Sequence, residues 1–126
     1  MKHLRFTADH EWIGIDDNGV ATVGITDFAQ SQLGDLVFVQ LPNVGQQIDQ
    51  GEEAAVIESV KAAGEVKMPV AGTVVEVNAT LTDQPATINQ DPQGAGWIFK
   101  LTPTDSNQFS ALMDSAGYSK FVNETS

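Results

Sequence analysis

The chain has no cysteine. That excludes a disulfide framework, thiol catalysis and a zinc-thiolate site, and it fits a reducing compartment such as the cytoplasm. Basic residues are scarce as well, 6 against 17 acidic ones, for a formal charge of -11 at pH 7. Binding to nucleic-acid phosphates needs clustered Lys and Arg, so no nucleic-acid partner is expected. The surplus of carboxylates keeps a protein soluble and apart from its own copies, which points to a monomer that visits other proteins. No apolar run is long enough to span a bilayer, so no membrane role is expected. The opening "MKHLRFTADHEW" lacks the apolar core of a secretory signal and the Arg- and Ser-rich character of a transit peptide.

Only His3 and His10 could supply an imidazole. No HxH or HExxH pairing is present, so no metal site is expected. The serines lie outside any GxSxG elbow. No GxGxxG or GxxxxGK[ST] loop exists for a nucleotide. An enzyme reading therefore reduces to a free-standing hydrolase using His10 and Glu11. These two are neighbours, and in an extended chain neighbours face opposite ways. No catalytic residue is assigned.

Short strands dominate what is present. "EWIGID" and "VATVGI" flank the Asn-Gly turn of "DDNG" (Asp16 to Gly19), a hairpin signature. Thr26 and Asp27 start a short helix that Gly34 ends. "LVFVQL" (Leu36 to Leu41) is a β-branched run closed by Pro42, and "GTVVEVN" (Gly72 to Asn78) is the plainest strand. Residues Val37, Val39, Val56, Val74 and Val75 are the expected core valines. Thr80 to Gly96 reads as a long loop with little structure of its own. "GWIFKL" is a further strand. In the C-terminal segment Phe109, Leu112 and Met113, then Tyr118, Phe121 and Val122, take helical spacing, with Gly117 dividing two helices. The pattern predicts one domain over 1–126, a small sandwich or barrel with helices at its ends.

One lysine stands out. In "ESVKAAGEV", Lys61 lies among small residues, between "AAVIES" and "GEVKMP". The plain reading is a solvated turn lysine. The alternative is a hairpin-tip lysine whose short neighbours leave room for an enzyme to close over its amine. Gly72 stands eleven residues past Lys61, about a full strand further on. Lys67, in "VKMP", faintly suggests a biotin site, but Val66 replaces the expected methionine and Gly72 follows it too closely.

The setting of Lys61 resembles a lipoyl domain. The chain as a whole resembles the H-protein family of the glycine cleavage system. The matching residues are "HEW" (His10 to Trp12), "GITDFAQ" (Gly24 to Gln30), "LGD" (Leu33 to Asp35), "VQLPNVG" (Val39 to Gly45), "ESVKAA" (Glu58 to Ala63), "PVAG" (Pro69 to Gly72), "VVEVN" (Val74 to Asn78), "LTDQP" (Leu81 to Pro85) and "GW" (Gly96-Trp97). Their joint order over nearly the whole length carries the likeness.

The resemblance implies a mainly β fold, a barrel-sandwich hybrid of short antiparallel strands with flanking short helices and a C-terminal helical segment. It implies lipoate joined to Lys61 as an amide. It implies exchange with glycine decarboxylase (P protein), aminomethyltransferase (T protein) and dihydrolipoamide dehydrogenase (L protein), after loading by lipoate-attaching enzymes. The carrier itself would be non-catalytic and cytoplasmic. An H-like carrier of sulfur oxidation or lipoate relay is the alternative pathway. In the family the loaded arm lies in a surface cleft, and the matching positions here are Asp9, Glu11 and Glu65. Asp9 and Glu11 have the same parity, so an extended segment would aim both at one cleft. Some members have serine at the position of Asp9 and histidine at that of Gln32.

Overall fold

The structure, a computed structural model, describes residues 3–125; the side chains of His3, Ser106 and Thr125 lie outside the described residues. Nine strands form two antiparallel sheets. The larger holds β1 (His3–Phe6), β2 (Glu11–Ile15), β3 (Ala21–Ile25), β5 (Gln47–Ile48), β8 (Gly72–Val77) and β9 (Phe99–Pro103), in the order β1-β2-β3-β9-β8-β5. The smaller holds β4 (Leu36–Gln40), β6 (Glu53–Ser59) and β7 (Ala63–Lys67), in the order β4-β6-β7. Neither sheet closes into a barrel. Their inner faces share one core: Val23, Ile25, Phe99 and Leu101 from the larger sheet join Leu36, Val39, Ile57 and Val66 from the smaller. This is the barrel-sandwich hybrid that the resemblance implies, and it agrees with the small sandwich or barrel that the strand pattern predicts.

The β2–β3 hairpin turns where the Asn-Gly signal lies. The Asp16 carboxylate accepts from the backbone N–H of Asn18 and Val20, and Gly19 takes the left-handed conformation. Helix α1 (Asp27–Leu33) starts at Thr26, whose hydroxyl accepts from Ala29 N–H, and ends at Gly34. Both ends agree with the capping signals.

Two of the five expected core valines are outside it. Val39 and Val74 are buried and Val56 is half-buried, but Val37 and Val75 are exposed. Val75 sits at a break in the β8–β9 register between Val74 and Glu76, which leaves Val75 and Glu76 both exposed. Val37 is turned out by a break in the β4–β6 register between Leu36 and Phe38, which puts two successive side chains on the surface.

The segment after β8 also differs from expectation. It contains two one-turn helices, α2 (Thr80–Asp83) and α3 (Thr87–Gln90), each sinking one side chain, Leu81 and Ile88, fully into the core. Four residues are too few to show a helical period, so the segment reads as loop. Near the C-terminus, α4 (Ser106–Ser110) is capped by Asp105, and α5 runs from Ser115 to Thr125. Gly117 lies inside α5 rather than between the helices. The boundary is set by Asp114, whose carboxylate accepts from Gly117 N–H. Leu112 and Met113 fall in the connection, where Met113 exchanges two backbone hydrogen bonds with Phe6.

Candidate functional site

Lys61 is exposed at the tip of the β6–β7 hairpin. The tip is a four-residue turn built on one hydroxyl. Ser59, itself buried, donates from Oγ to Ala62 O (3.0 Å) and accepts from Lys61 N–H (3.3 Å) and Ala62 N–H (3.0 Å), while its own N–H donates to Ala62 O (2.7 Å). A serine hydroxyl closing a turn in this way fixes the backbone without adding bulk. The lysine is thus held by its main chain, and its side chain is left exposed.

A second strip of chain supports the tip. Val60 N–H donates to Asp35 O at 3.1 Å. Next to it, Gly34 adopts φ 85°, and a Cβ built there would sit 3.5 Å from Lys61 Cε. The lysine stem therefore lies across a residue with no side chain. Asn89 clamps this strip: its amide nitrogen donates to Gly34 O and to the Gln30 side chain, both at 2.9 Å, and its oxygen accepts from Leu36 N–H at 2.9 Å. Asn89 belongs to α3, inside the segment that reads as loop, and nothing in its sequence surroundings marks it. Gly72, the spacing landmark, is a packing requirement, because a Cβ there would meet Thr102 O at 2.5 Å. It lets β8 approach β9.

A cleft of about 440 Å³ opens beside the hairpin. Asp9 stands on one side. Glu53, Glu65 and Lys67 come from the outer face of the small sheet, and Val56, Ala63 and Gly64 supply its less polar lining. Cross-strand partners share a face, and the pairs Val56↔Glu65 and Glu53↔Lys67 account for four of these positions. The cleft therefore combines an apolar strip with three carboxylates and one ammonium. Asp9 and Glu65, two of the three arm-cleft candidates, both line this cleft. Glu53, Val56 and Lys67 were not anticipated as lining residues.

Glu11 goes elsewhere. Its side chain is only 2% exposed and it does not line the cleft. One carboxylate oxygen accepts from Lys67 N–H at 2.7 Å and the other from the Thr7 hydroxyl at 3.0 Å. The parity argument fails because the chain between Asp9 and Glu11 is not extended. Thr7 to His10 form a turn, closed by His10 N–H to Thr7 O at 3.1 Å, and His10 takes φ 67°. Glu11 thus ties this turn to the edge of β7, beside the cleft. Burial raises its carboxyl from an ordinary 4.5 to about 7, against the opposing pull of the Lys67 N–H and Thr7 hydrogen bonds.

His10 also turns inward. Its Nδ1 lies 2.8 Å from the Tyr118 hydroxyl, which lies 2.7 Å from the Thr26 hydroxyl. Its ring packs 4.7 Å from that of Phe28. Burial lowers its pKa, with the nearby Asp9 charge working the other way. His10 is a joint between β2, α1 and α5. Both oxygens of Glu11 are engaged by Thr7 and Lys67, so the pair does not form the base and acid that a hydrolase would need. Among the described residues, no three His, Asp or Glu side chains are grouped to hold a metal ion. Among the described residues no helix is long and apolar enough to cross a membrane.

Residues 4–125 match the family described as Glycine cleavage H-protein. A glycine cleavage system H protein of Rhodospirillum rubrum is 52% identical over 124 residues, covering 98% of each chain. One from Methylocella silvestris is 54% identical over 122 residues, covering 97% of each. Among solved structures, the crystal structure of a glycine cleavage system H protein from Mycobacterium marinum superposes with a TM-score of 0.84 at 40% identity, over 98% of this chain and 96% of that one.

Proposed function

The chain belongs to the glycine cleavage H-protein family, and from that premise we propose that Lys61 is its working residue, the amine to which lipoate is joined as an amide. The protein is the lipoyl carrier of glycine cleavage, and the alternatives of sulfur oxidation, lipoate relay or hydrolysis are not favoured. The observation that supports the lysine assignment is its position. It is exposed on a rigid turn, flanked by small residues, beside a cleft of mixed polarity.

When bound, lipoate supplies a dithiolane that takes up the aminomethyl group of glycine and later surrenders it. The chain's own residues hold and shelter that arm. Ser59, Gly34 and Asn89 fix the anchor point. Val56, Ala63 and Gly64 offer apolar surface to an aliphatic chain. Asp9, Glu53 and Glu65 offer negative charge to a cationic load, and Lys67 tempers it. Glu11 acts from beside the cleft, by holding the backbone of β7. Amide formation also removes the lysine charge, leaving a long neutral tether that raises the local concentration of its load at each partner.

The carrier is non-catalytic and works as one domain in the cytoplasm. Glycine decarboxylase loads it, aminomethyltransferase unloads it, dihydrolipoamide dehydrogenase reoxidises it, and a lipoate-attaching enzyme prepares it. The test mixes lipoylated protein with glycine decarboxylase and glycine and follows intact mass. Wild type gains the aminomethyl group. Lys61→Arg, folded by circular dichroism, gains neither lipoate nor load. A Lys61→Arg protein that loads normally overturns the assignment.

A further inference from the structure

Six large apolar side chains are exposed among the described residues, and three of them lie on the Lys61 hairpin or on the strand beside it: Val60 at 72%, Val37 at 56% and Phe38 at 46%. Single exposed apolar residues are ordinary, but a cluster marks a surface that meets something. This cluster is contiguous through the backbone. Val60 N–H bonds to Asp35 O, Leu36 pairs with Ser59, and Phe38 pairs with Glu58. Core packing does not require it, because Leu36 and Val39 already fill the inner side of β4. Moreover, β4 is the edge of the small sheet. Edge strands are normally guarded by charge or proline, whereas here a break in register turns two hydrophobic side chains outward.

The surrounding charge is one-sided. Between Gly34 and Val66 the chain has six acidic residues, and Lys61 is its sole basic one. Asp35 and Glu58 are exposed at the edge of the cluster. An apolar centre with a carboxylate rim complements a partner with an apolar socket edged by lysine and arginine.

We propose that Val37, Phe38 and Val60 are the docking surface for the enzyme that acylates Lys61. The inference rests on the assignment of Lys61 as the lipoylated amine. In that reaction Nζ bonds to the carbonyl carbon of an activated acyl donor, the bond from that carbon to its leaving group breaks, and the amine loses a proton. The acylating enzyme must therefore bring its reacting atoms to Nζ itself and cover the surface around it. Enzymes that work at the far end of the finished arm bring their reacting atoms to the dithiolane rather than to Nζ.

The test uses an ATP-dependent lipoate ligase with full-length unmodified protein, reading intact mass and mapping the labelled peptide. The double variant Phe38→Ser/Val60→Ser is expected to raise KM about tenfold or more with kcat little changed. Val75→Ser, exposed on the other sheet, leaves KM unchanged. Added salt raises the wild-type KM. On a Lys61→Arg background, which cannot react, the double variant weakens equilibrium binding to the ligase by the same factor. A small water-soluble acylating reagent should modify Lys61 equally in wild type and variant. Unchanged ligase KM and binding in the variant overturn the docking surface. So does a parallel fall with the small reagent, which would mean that the patch only shapes the hairpin. Label on a residue other than Lys61 in wild type would instead remove the lysine assignment on which the inference stands.

Discussion

The hairpin tip at Ser59–Ala62 and the turn at Thr7–Glu11 lie near the same cleft and are built by opposite means. The tip is largely local. One serine hydroxyl closes it, a single backbone bond from Val60 to Asp35 supports it, and the Lys61 side chain is left exposed. The turn is held from a distance. Glu11 is fastened to Lys67 across 56 positions of chain, and His10 to Tyr118 across 108. The lesson is a division of labour. The proposed attachment residue is placed chiefly by the short-range bonds of Ser59 and carries little of the fold. The buried polar residues opposite it hold two sheets and a helix together.

That comparison can be sharpened by substitution, and the largest effect belongs to Glu11. Its folded carboxyl keeps its proton up to about pH 7, whereas in the unfolded chain it ionises near 4.5. Between those values the folded state binds more protons, so stability falls as pH rises through the window. The loss is on the order of 3 kcal/mol once both are passed. Lowered by burial, His10 contributes the opposite slope just below its usual 6.5. Glu11→Gln removes only the first contribution. Urea unfolding from pH 4 to 8 should show the variant gaining on wild type across the window, with Lys61 acylation unchanged. Parallel curves would mean that Glu11 is no buried acid.

Tyr118→Phe comes next. It deletes the hydroxyl shared by His10 and Thr26 and should cost about 2 kcal/mol. Urea midpoints check this, and the acylation rate of Lys61 should not move. Asn89→Ala is expected to reverse the pattern. Its cost in global stability is about 1 kcal/mol, but the Gly34–Leu36 strip loses its clamp. Amide hydrogen exchange at Val60 should then quicken well ahead of the core strands. Equal protection of Val60 in both proteins would break the link between Asn89 and the tip. The smallest effect is electrostatic. Asp9→Asn and Glu65→Gln remove exposed cleft charges worth under about 1 kcal/mol each, and salt should erase the difference. Spontaneous loss of the aminomethyl group from loaded protein, followed at low and high salt, is the readout.

The same contrast explains what could be read from the chain. Helix α1 was legible because Thr26 and Gly34 are local caps. The first hairpin was legible in Asn18-Gly19, and the lysine tip in its small neighbours. Val37 and Val75 fall outside the core because hydrophobicity alone does not say which face of a strand is inward, and each sits at a break in register that obeys no alternation. Helices α2 and α3 are too short for a period and exist because Leu81 and Ile88 find the core. Asp9 and Glu65 reach the cleft, while the inward turn of Glu11 depends on Lys67 and on a left-handed His10. Ser59 carried a usable signal, a hydroxyl opening a four-residue turn. Asn89 carried none, since its three partners are brought to it by folding.

Lys61 alone is the proposed attachment point. Protein produced in a cell that makes lipoate, digested and mapped by mass spectrometry, tests it directly. One lipoyl group on the peptide containing Lys61, with Lys67 and the other lysines bare, is the predicted result. Lipoate on Lys67, or a fully lipoylated Lys61→Arg variant, would contradict it.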